Sequence, residues 1–285
     1  MNKEEFLTAL RKEAEGYNKI VATEDGDWIV KGFIDIYKKI YTISVDTKVV
    51  SKVIEILLIP AFEEFAKKNN LTLENQEKQN FYPDLTFICN TTGEKFAVDI
   101  KSTIKDSDNN IKGMTLGTYQ GYFQKRNEKI SISYPYSEYS AHIVFGVLYA
   151  QIEDEPNEKD IFNISELNNI KSVIKDFQFF VQPKYKIASA SKGSGNTRNI
   201  GSTRNIDDLI NGNGIFSTLG EDVFDDYWMY FIDQKMSQEL GIPRPYENLK
   251  TYLDYKEKSR DVLEKNKKLI EEKESHEQIE SDDDE

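Results

Sequence analysis

The chain has 285 residues, 38% hydrophobic and 12% aromatic, enough to bury one large domain or one domain with a small appendage, which excludes a disordered chain. Its single cysteine, Cys89, excludes an intrachain disulfide and points to a reducing cytoplasm. The net charge of −13 argues against nucleic acid only on average. Residues 260–285 hold eleven acidic and five basic side chains, while Val181–Asn205 holds Lys184, Lys186, Lys192, Arg198 and Arg204 and no acid. Local field decides phosphate binding, so DNA stays open as a partner.

Asn2–Tyr17 reads as an amphipathic helix and not as a signal peptide, and no apolar run reaches the 18 residues of a membrane span. Lys19–Ile43 alternates around Glu24-Asp25-Gly26-Asp27, which predicts a β-ribbon with its tight turn there. Asp46-Thr47 caps a helix carrying Val49, Val50, Val53, Ile54, Leu57 and Leu58, which Pro60 kinks or restarts before about Asn69. A hairpin over residues 83–101 follows, then a helix over Thr115–Asn127 and a buried strand over Ala141–Gln151. Ile161–Leu167 starts a short element, Gln178–Ile187 is a strand, and Ser189–Ser202 is a loop by composition. Asp207–Ile210 and Asp222–Phe231 are helical, Tyr246–Ile270 is a charged helical run, and Glu271–Glu285 is disordered. Helices and strands intersperse, so the fold class is α/β with a mixed sheet.

The hairpin carries the chemistry. With Asn90–Lys95 as the turn, Leu85 opposes Ile100, Phe87 opposes Val98 and Cys89 opposes Phe96, an unbroken apolar face. The other face then holds Asp84 opposite Lys101, with Asp99 diagonal to Asp84. Two carboxylates and a lysine can hold Mg²⁺ and activate water, but the same spacing also describes a solvated, polar-out hairpin. Glu55 shares a helix face with Lys48, Ser51 and Lys52, which alone reads as a solvated stripe. The glycines of residues 193–202 suit a backbone approaching a base edge as well as a flexible linker. His142, in an apolar strand, reads as a packed histidine, and Trp228 as core. There is no zinc spacing, Walker loop or Ser-His-Asp signal.

The ordered set Asp46-Thr47-Lys48-Val49, Glu55, Lys78-Gln79-Asn80, Tyr82-Pro83-Asp84, Asp99-Ile100-Lys101, Thr115-Leu116-Gly117, Gly193-Ser-Gly-Asn-Thr197, Asn199-Ile-Gly-Ser202, Asn213-Gly214-Ile215-Phe216 and Tyr227-Trp228 resembles the EcoRV family of type II restriction endonucleases, within the PD-(D/E)xK nuclease superfamily. The likeness runs from about Asn2 to about residue 235. It implies a restriction-endonuclease-like mixed β-sheet flanked by helices, with a small β-ribbon dimerisation subdomain. The endonuclease domain spans 1–245, and 246–285 is a charged helical extension with an acidic tail. Residues 19–43 and about 160–172 are the dimerisation elements, and 189–205 the DNA-recognition loop.

The site residues come by the same resemblance. Asp84, Asp99 and Lys101 are catalytic; Asp84, Asp99, the Ile100 carbonyl and an auxiliary Glu55 serve the metal. The metal is Mg²⁺, two per active site, with Mn²⁺ as a substitute. Thr47, Lys48, Gln79, Asn80, Ser102, Thr103, Thr115, Lys129, Gly193, Gly195, Asn196, Thr197, Arg198 and Asn199 are implied to meet DNA. Arg198 stands where the family has threonine, so it either adds a phosphate contact or alters flanking preference.

The implied activity is Mg²⁺-dependent hydrolysis of double-stranded DNA at a palindrome, GATATC cut to blunt ends, by a homodimer whose two-fold matches the site. Central bases in that family are read through DNA bending. A cognate DNA methyltransferase is the expected companion, and no membrane is involved. Two rivals keep part of this reading: a repair or junction-resolving nuclease of the same superfamily, and a non-catalytic DNA-binding protein.

Overall fold

The computed structural model describes residues 1–285 except 44, 77, 79–80, 107, 153–159, 194–197 and 257–285. It divides into two compact units: Met1–Asn75, Asp84–Lys112 and Val144–Val181 form one, and Gln76–Pro83, Gly113–Ile143 and Gln182–Glu285 the other.

In the first unit, Asn2 starts α1 (Lys3–Ala14) with a reciprocal cap, its side chain accepting from the Glu5 amide while the Glu5 carboxylate accepts from the Asn2 amide. Phe6, Leu7, Leu10 and Ala14 form the buried stripe, and a short α2 (Asn18–Val21) follows. The ribbon expected over 19–43 is present only over Gly32–Thr42, since Lys19–Val21 belong to α2, and its turn lies elsewhere. An Ala22–Trp28 bridge closes the Glu24–Asp27 turn, while the hairpin of β1 (Gly32–Ile34) and β2 (Lys39–Thr42) turns at Asp35–Lys38. The cause is Asp35, whose carboxylate accepts from the Tyr37 and Lys39 amides and the Tyr41 hydroxyl. Asp46 caps α3 (Thr47–Lys68) by accepting from the Lys48 and Val49 amides. Pro60 does not restart this helix. It sits on the exposed face, as does Ile56 one turn before it, and the buried stripe Val50, Ile54, Leu58, Phe62 and Phe65 runs past it.

A central five-stranded mixed sheet has the order β3-β4-β5-β7-β9, with β3 at Leu71–Asn75, β4 at Leu85–Cys89 and β5 at Lys95–Ile104. β6 is Thr115–Thr118, β7 is Tyr139–Gln151, β8 is Ile161–Asn163 and β9 is Ile174–Pro183. β8 adds to β2, making a second sheet of order β1-β2-β8. A 3-10 turn over Ile164–Asn169 follows it. The core between α1, α3 and the central sheet is aromatic: Phe6 stacks on Phe96 at 4.3 Å, and Phe62 meets Phe145 edge-on at 4.9 Å. A Cβ on Gly146 would overlap the ring of Phe180, so β7 needs glycine there.

The β4–β5 register is two residues tighter than the sequence suggested. Leu85 pairs with Val98 and Phe87 with Phe96, because the turn is Asn90–Gly93, closed by the Gly93 amide on the Cys89 carbonyl at 2.8 Å. Gly93 has φ +76°, which glycine adopts without strain. A shift of two keeps every side chain on its face, but it carries Asp99 rather than Lys101 to the position across from Asp84.

The second unit contains a sheet of order β10-β11-β6, with β10 at Ala188–Lys192 and β11 at Asn199–Ser202. The helix expected over Thr115–Asn127 is absent. Thr115 and Thr118 pair with Gly201 and Asn199, and Gly117 and Gly121, at φ +88° and +55°, leave the helical region. Outside residues 194–197, the segment expected as a loop is likewise a hairpin stem, β10 and β11 pairing antiparallel at Ala188–Ser202 and Lys192–Ile200 with a register irregularity between. The strand expected to reach Ile187 ends at Pro183, where α4 (Lys184–Ile187) begins. Five further helices follow: α5 (Ile206–Asn211), α6 (Ile215–Leu219), α7 (Glu221–Met229), α8 (Gln234–Leu240) and α9 (Leu249–Tyr255). They pack around Tyr227, Trp228, Phe231, Tyr246 and Tyr252. His142 is a packed histidine as expected, stacked 3.5 Å from Tyr136, with Nδ1 2.9 Å from the Tyr82 hydroxyl. Of the charged run expected as helix over Tyr246–Ile270, only Leu249–Tyr255 is helical among the described residues, with Asn248 as its cap; residues 257–285, the acidic tail included, lie outside the described residues.

Candidate active site

Asp84 and β5 bring three polar groups together in the first unit. Asp84 stands immediately before β4, and its Oδ2 accepts the Ile100 amide at 2.7 Å. Asp99 is buried in β5, and its Oδ2 lies 2.8 Å from Lys101 Nζ. Burial, followed by the neighbouring charge of Asp99, pushes the Asp84 carboxyl up to about 7; Lys101 and the Ile100 amide only partly oppose this. Burial works against the charge of Lys101, but Asp99 and then Asp84 outweigh it and hold its ammonium above the ordinary lysine value. Lys101 therefore keeps its proton and acts as a fixed cation.

This donor set suits a hard divalent cation. Two like-charged carboxylates crowded together, one of them forced toward its protonated form, are relieved by a dication that takes oxygen ligands and retains waters. Among the described residues no three of His, Cys, Asp and Glu group as metal ligands, so the two aspartates stand without a third such side chain. Glu55 on α3 instead pairs with Lys52 at 2.6 Å, although its charge also reaches Lys101. One helical turn before it, the Ser51 and Ser102 hydroxyls meet at 2.7 Å and tie α3 to β5. The face read as a solvated stripe is thus fastened to the strand that carries the site. Thr47 and Lys48 occupy the first turn of α3 and are exposed, whereas Thr103 is buried.

The remaining expected DNA contacts fall in the second unit. Thr115 lies in β6, and a Cβ on Gly193 would press its methyl at 2.6 Å, so glycine is what allows these strands to approach. The Gly193 amide donates to the Asn199 carbonyl at 2.8 Å. Arg198 donates to Gln120 at 2.9 Å and to Glu239 at 2.8 Å. Lys129 lies 5.9 Å from the Tyr134 ring centre. Gln79, Asn80, Gly195, Asn196 and Thr197 lie outside the described residues. Sequence reasoning missed the Ile100 amide as the anchor of Asp84, the Ser51–Ser102 tie, and the acids facing Arg198 and Lys192. The first follows from the correct register; the others join residues 41 to 51 positions apart, for which no local pattern exists.

Residues 24–257 match the family model described as restriction endonuclease EcoRV. The type II restriction enzyme EcoRV of Escherichia coli is 35% identical over 234 residues, covering 81% of this chain and 92% of that protein. Among solved structures, the NlaIV restriction endonuclease overlaps with a TM-score of 0.35 at 10% identity, over 86% of this chain and 94% of its own. A mixed sheet flanked by helices, with these sequence matches, defines a type II site-specific endonuclease, a restriction-system hydrolase whose substrate is DNA. The chain belongs to the EcoRV family of restriction endonucleases, a family that depends on divalent metal.

Proposed function

We propose that this endonuclease hydrolyses phosphodiester bonds of double-stranded DNA at the palindrome GATATC, leaving blunt ends, with Mg²⁺ as its metal. The observation that carries the reading is the grouping of Asp84, Asp99 and Lys101, with Lys101 Nζ 2.8 Å from Asp99 and Asp84 anchored on the Ile100 amide. Asp84 and Asp99 would hold the ion, two per site with Mn²⁺ as a substitute, with the Ile100 carbonyl as an added ligand and Glu55 as an auxiliary one. Bound there, the metal would supply a water acidified toward neutrality and offset charge on the phosphate. Lys101, protonated throughout the working range, faces the negative charge that develops on the phosphate; its raised value makes it a stabiliser of charge and not the base.

DNA contacts are assigned to Thr47, Lys48 and Ser102 beside the site, and to Thr115, Lys129, Gly193, Gly195, Asn196, Thr197 and Asn199 in the second unit. Gln79 and Asn80 approach the minor groove. The endonuclease domain is taken as 1–245, with 246–285 as an extension. The enzyme acts in the cytoplasm as a homodimer through the β1-β2-β8 sheet, alongside a cognate methyltransferase. Exposed Phe33, Ile34 and Ile161 on that sheet support a self-association surface. No helix among the described residues is long and apolar enough to cross a membrane.

The test is digestion of a fully sequenced plasmid with Mg²⁺, followed by mapping of the cut ends. Blunt cuts confined to GATATC are expected, and cuts set by DNA structure without a sequence would overturn the reading. In the same assay Asp84→Asn, Asp99→Asn and Lys101→Met should each lower the single-turnover cleavage rate by about 10³-fold or more. A rate within about tenfold of the parent would remove that residue from the site.

A further inference from the structure

One short helix holds both cations that flank the proposed reading segment. Lys192, at the end of β10, has its Nζ 3.6 Å from Asp233, and Arg198, just before β11, has Nη2 2.8 Å from Glu239. Asp233 caps α8 by accepting the Met236 amide at 2.8 Å, and Glu239 stands in the last turn of the same helix. Asp233 is buried and also accepts the Tyr119 hydroxyl at 3.1 Å. Tyr119 in turn stacks on Trp228, 5.3 Å between ring centres. Arg198 is engaged at several further points: Nη1 donates to Gln120 Oε1 at 2.9 Å, while its carbonyl accepts the Tyr119 amide at 3.1 Å and the Thr118 hydroxyl at 3.0 Å. Gln120 closes the ring by donating to the Met236 sulfur at 3.4 Å. The hairpin stem, the residues following β6 and α8 are thus joined by one continuous polar network.

We propose that Asp233 and Glu239 are positioning residues for sequence reading: through Lys192 and Arg198 they fix the β10–β11 stem that carries the proposed reading segment. Helix α8 then sets target selectivity without touching a base. The inference rests on the reading role proposed for residues 193–202. It gives Arg198 a defined task, since a guanidinium whose planar fork is already shared between a carboxylate and an amide is a pin for the stem and not a spare phosphate contact. Hydrogen bonds to base edges are directional, so a loosened stem loses cognate contacts first. Phosphate-driven, sequence-independent binding is left nearly intact.

The test uses the full chain with Glu239→Ala, and with the charge swap Arg198→Glu/Glu239→Arg. The Gly193 and Tyr119 amides, bonded to the Asn199 and Arg198 carbonyls at 2.8 and 3.1 Å, report the stem without DNA. Their hydrogen exchange should quicken about tenfold in Glu239→Ala and slow again in the swap. The ratio of kcat/KM on the mapped site to that on sites altered by one base pair should fall about tenfold in Glu239→Ala. Affinity for a scrambled duplex, and its salt dependence, should stay within about twofold. Unchanged exchange overturns the brace, and quickened exchange with an unchanged ratio overturns its role in selectivity. A parent enzyme that cuts without site preference refutes the reading role instead, while the exchange rates still decide the brace.

Discussion

Asp84 keeps a proton that an ordinary aspartate has lost by neutral pH, because burial and the adjacent Asp99 both disfavour its charge. Its folded value, about 7, lies above the ordinary 3.8, so over that interval the native state binds a proton that the unfolded chain has released. Without metal, the protein should therefore lose stability as pH rises from about 4 to about 7, by on the order of 2 kcal/mol, and Asp84→Asn should abolish that loss. Urea unfolding of both proteins in chelator across this window measures it; parallel pH profiles would contradict the assignment. Lys101 and Asp99 behave differently, since truncating Lys101 leaves a buried carboxylate without its cation. Lys101→Met should lower stability more than Asp84→Asn does, so its cleavage defect is read beside Lys101→Arg, which keeps the charge.

The same local logic governs elements. The cap of α3 was legible because Asp46 needs only the amides two and three residues ahead of it, and the strand over Ala141–Gln151 because a continuous apolar run has few other uses. Asp46→Ala should cost about 1 kcal/mol in urea unfolding with little change in the unfolding slope. The elements that misled are those whose partners lie far along the chain. Thr115–Thr118 is a strand because Asn199 and Gly201 lie beside it, and nothing within residues 115–127 announces that. The ribbon turn moved to Asp35 for a local reason, a carboxylate collecting two amides, which the more conspicuous Glu24–Asp27 sequence masked. The hairpin register at the site differs by two residues from the sequence expectation because its turn is the four residues Asn90–Gly93 and not the six residues Asn90–Lys95. Its faces survived the error because side chains repeat every two residues.

At the scale of the whole molecule, the net charge of −13 coexists with a cationic stretch in which Lys192 and Arg198 already carry acidic partners. The β1-β2-β8 sheet collects residues from 32 to 163 into one surface that leaves Phe33, Ile34, Tyr41 and Ile161 exposed. If that surface joins two copies, Phe33→Glu with Ile161→Glu should convert the dimer to monomer by sedimentation velocity. Concerted double-strand cleavage should then give way to slow nicking, and an unchanged sedimentation profile would exclude this sheet as the interface.

By itself the sequence determined the inventory of chemistry: two aspartates and a lysine on one face of a hairpin, a capped helix beside it, a glycine-rich segment, and the ordered motifs that place the chain in its family. These depend on spacing over a few residues, which backbone periodicity converts directly into geometry. Tertiary structure alone decided that Asp99 and not Lys101 stands across from Asp84, that the Ile100 amide anchors the first carboxylate, and that Ser51 fastens α3 to β5. It alone placed Glu239 against Arg198. Each of these is a contact between segments distant in sequence, set by how whole elements pack, and no local pattern encodes it.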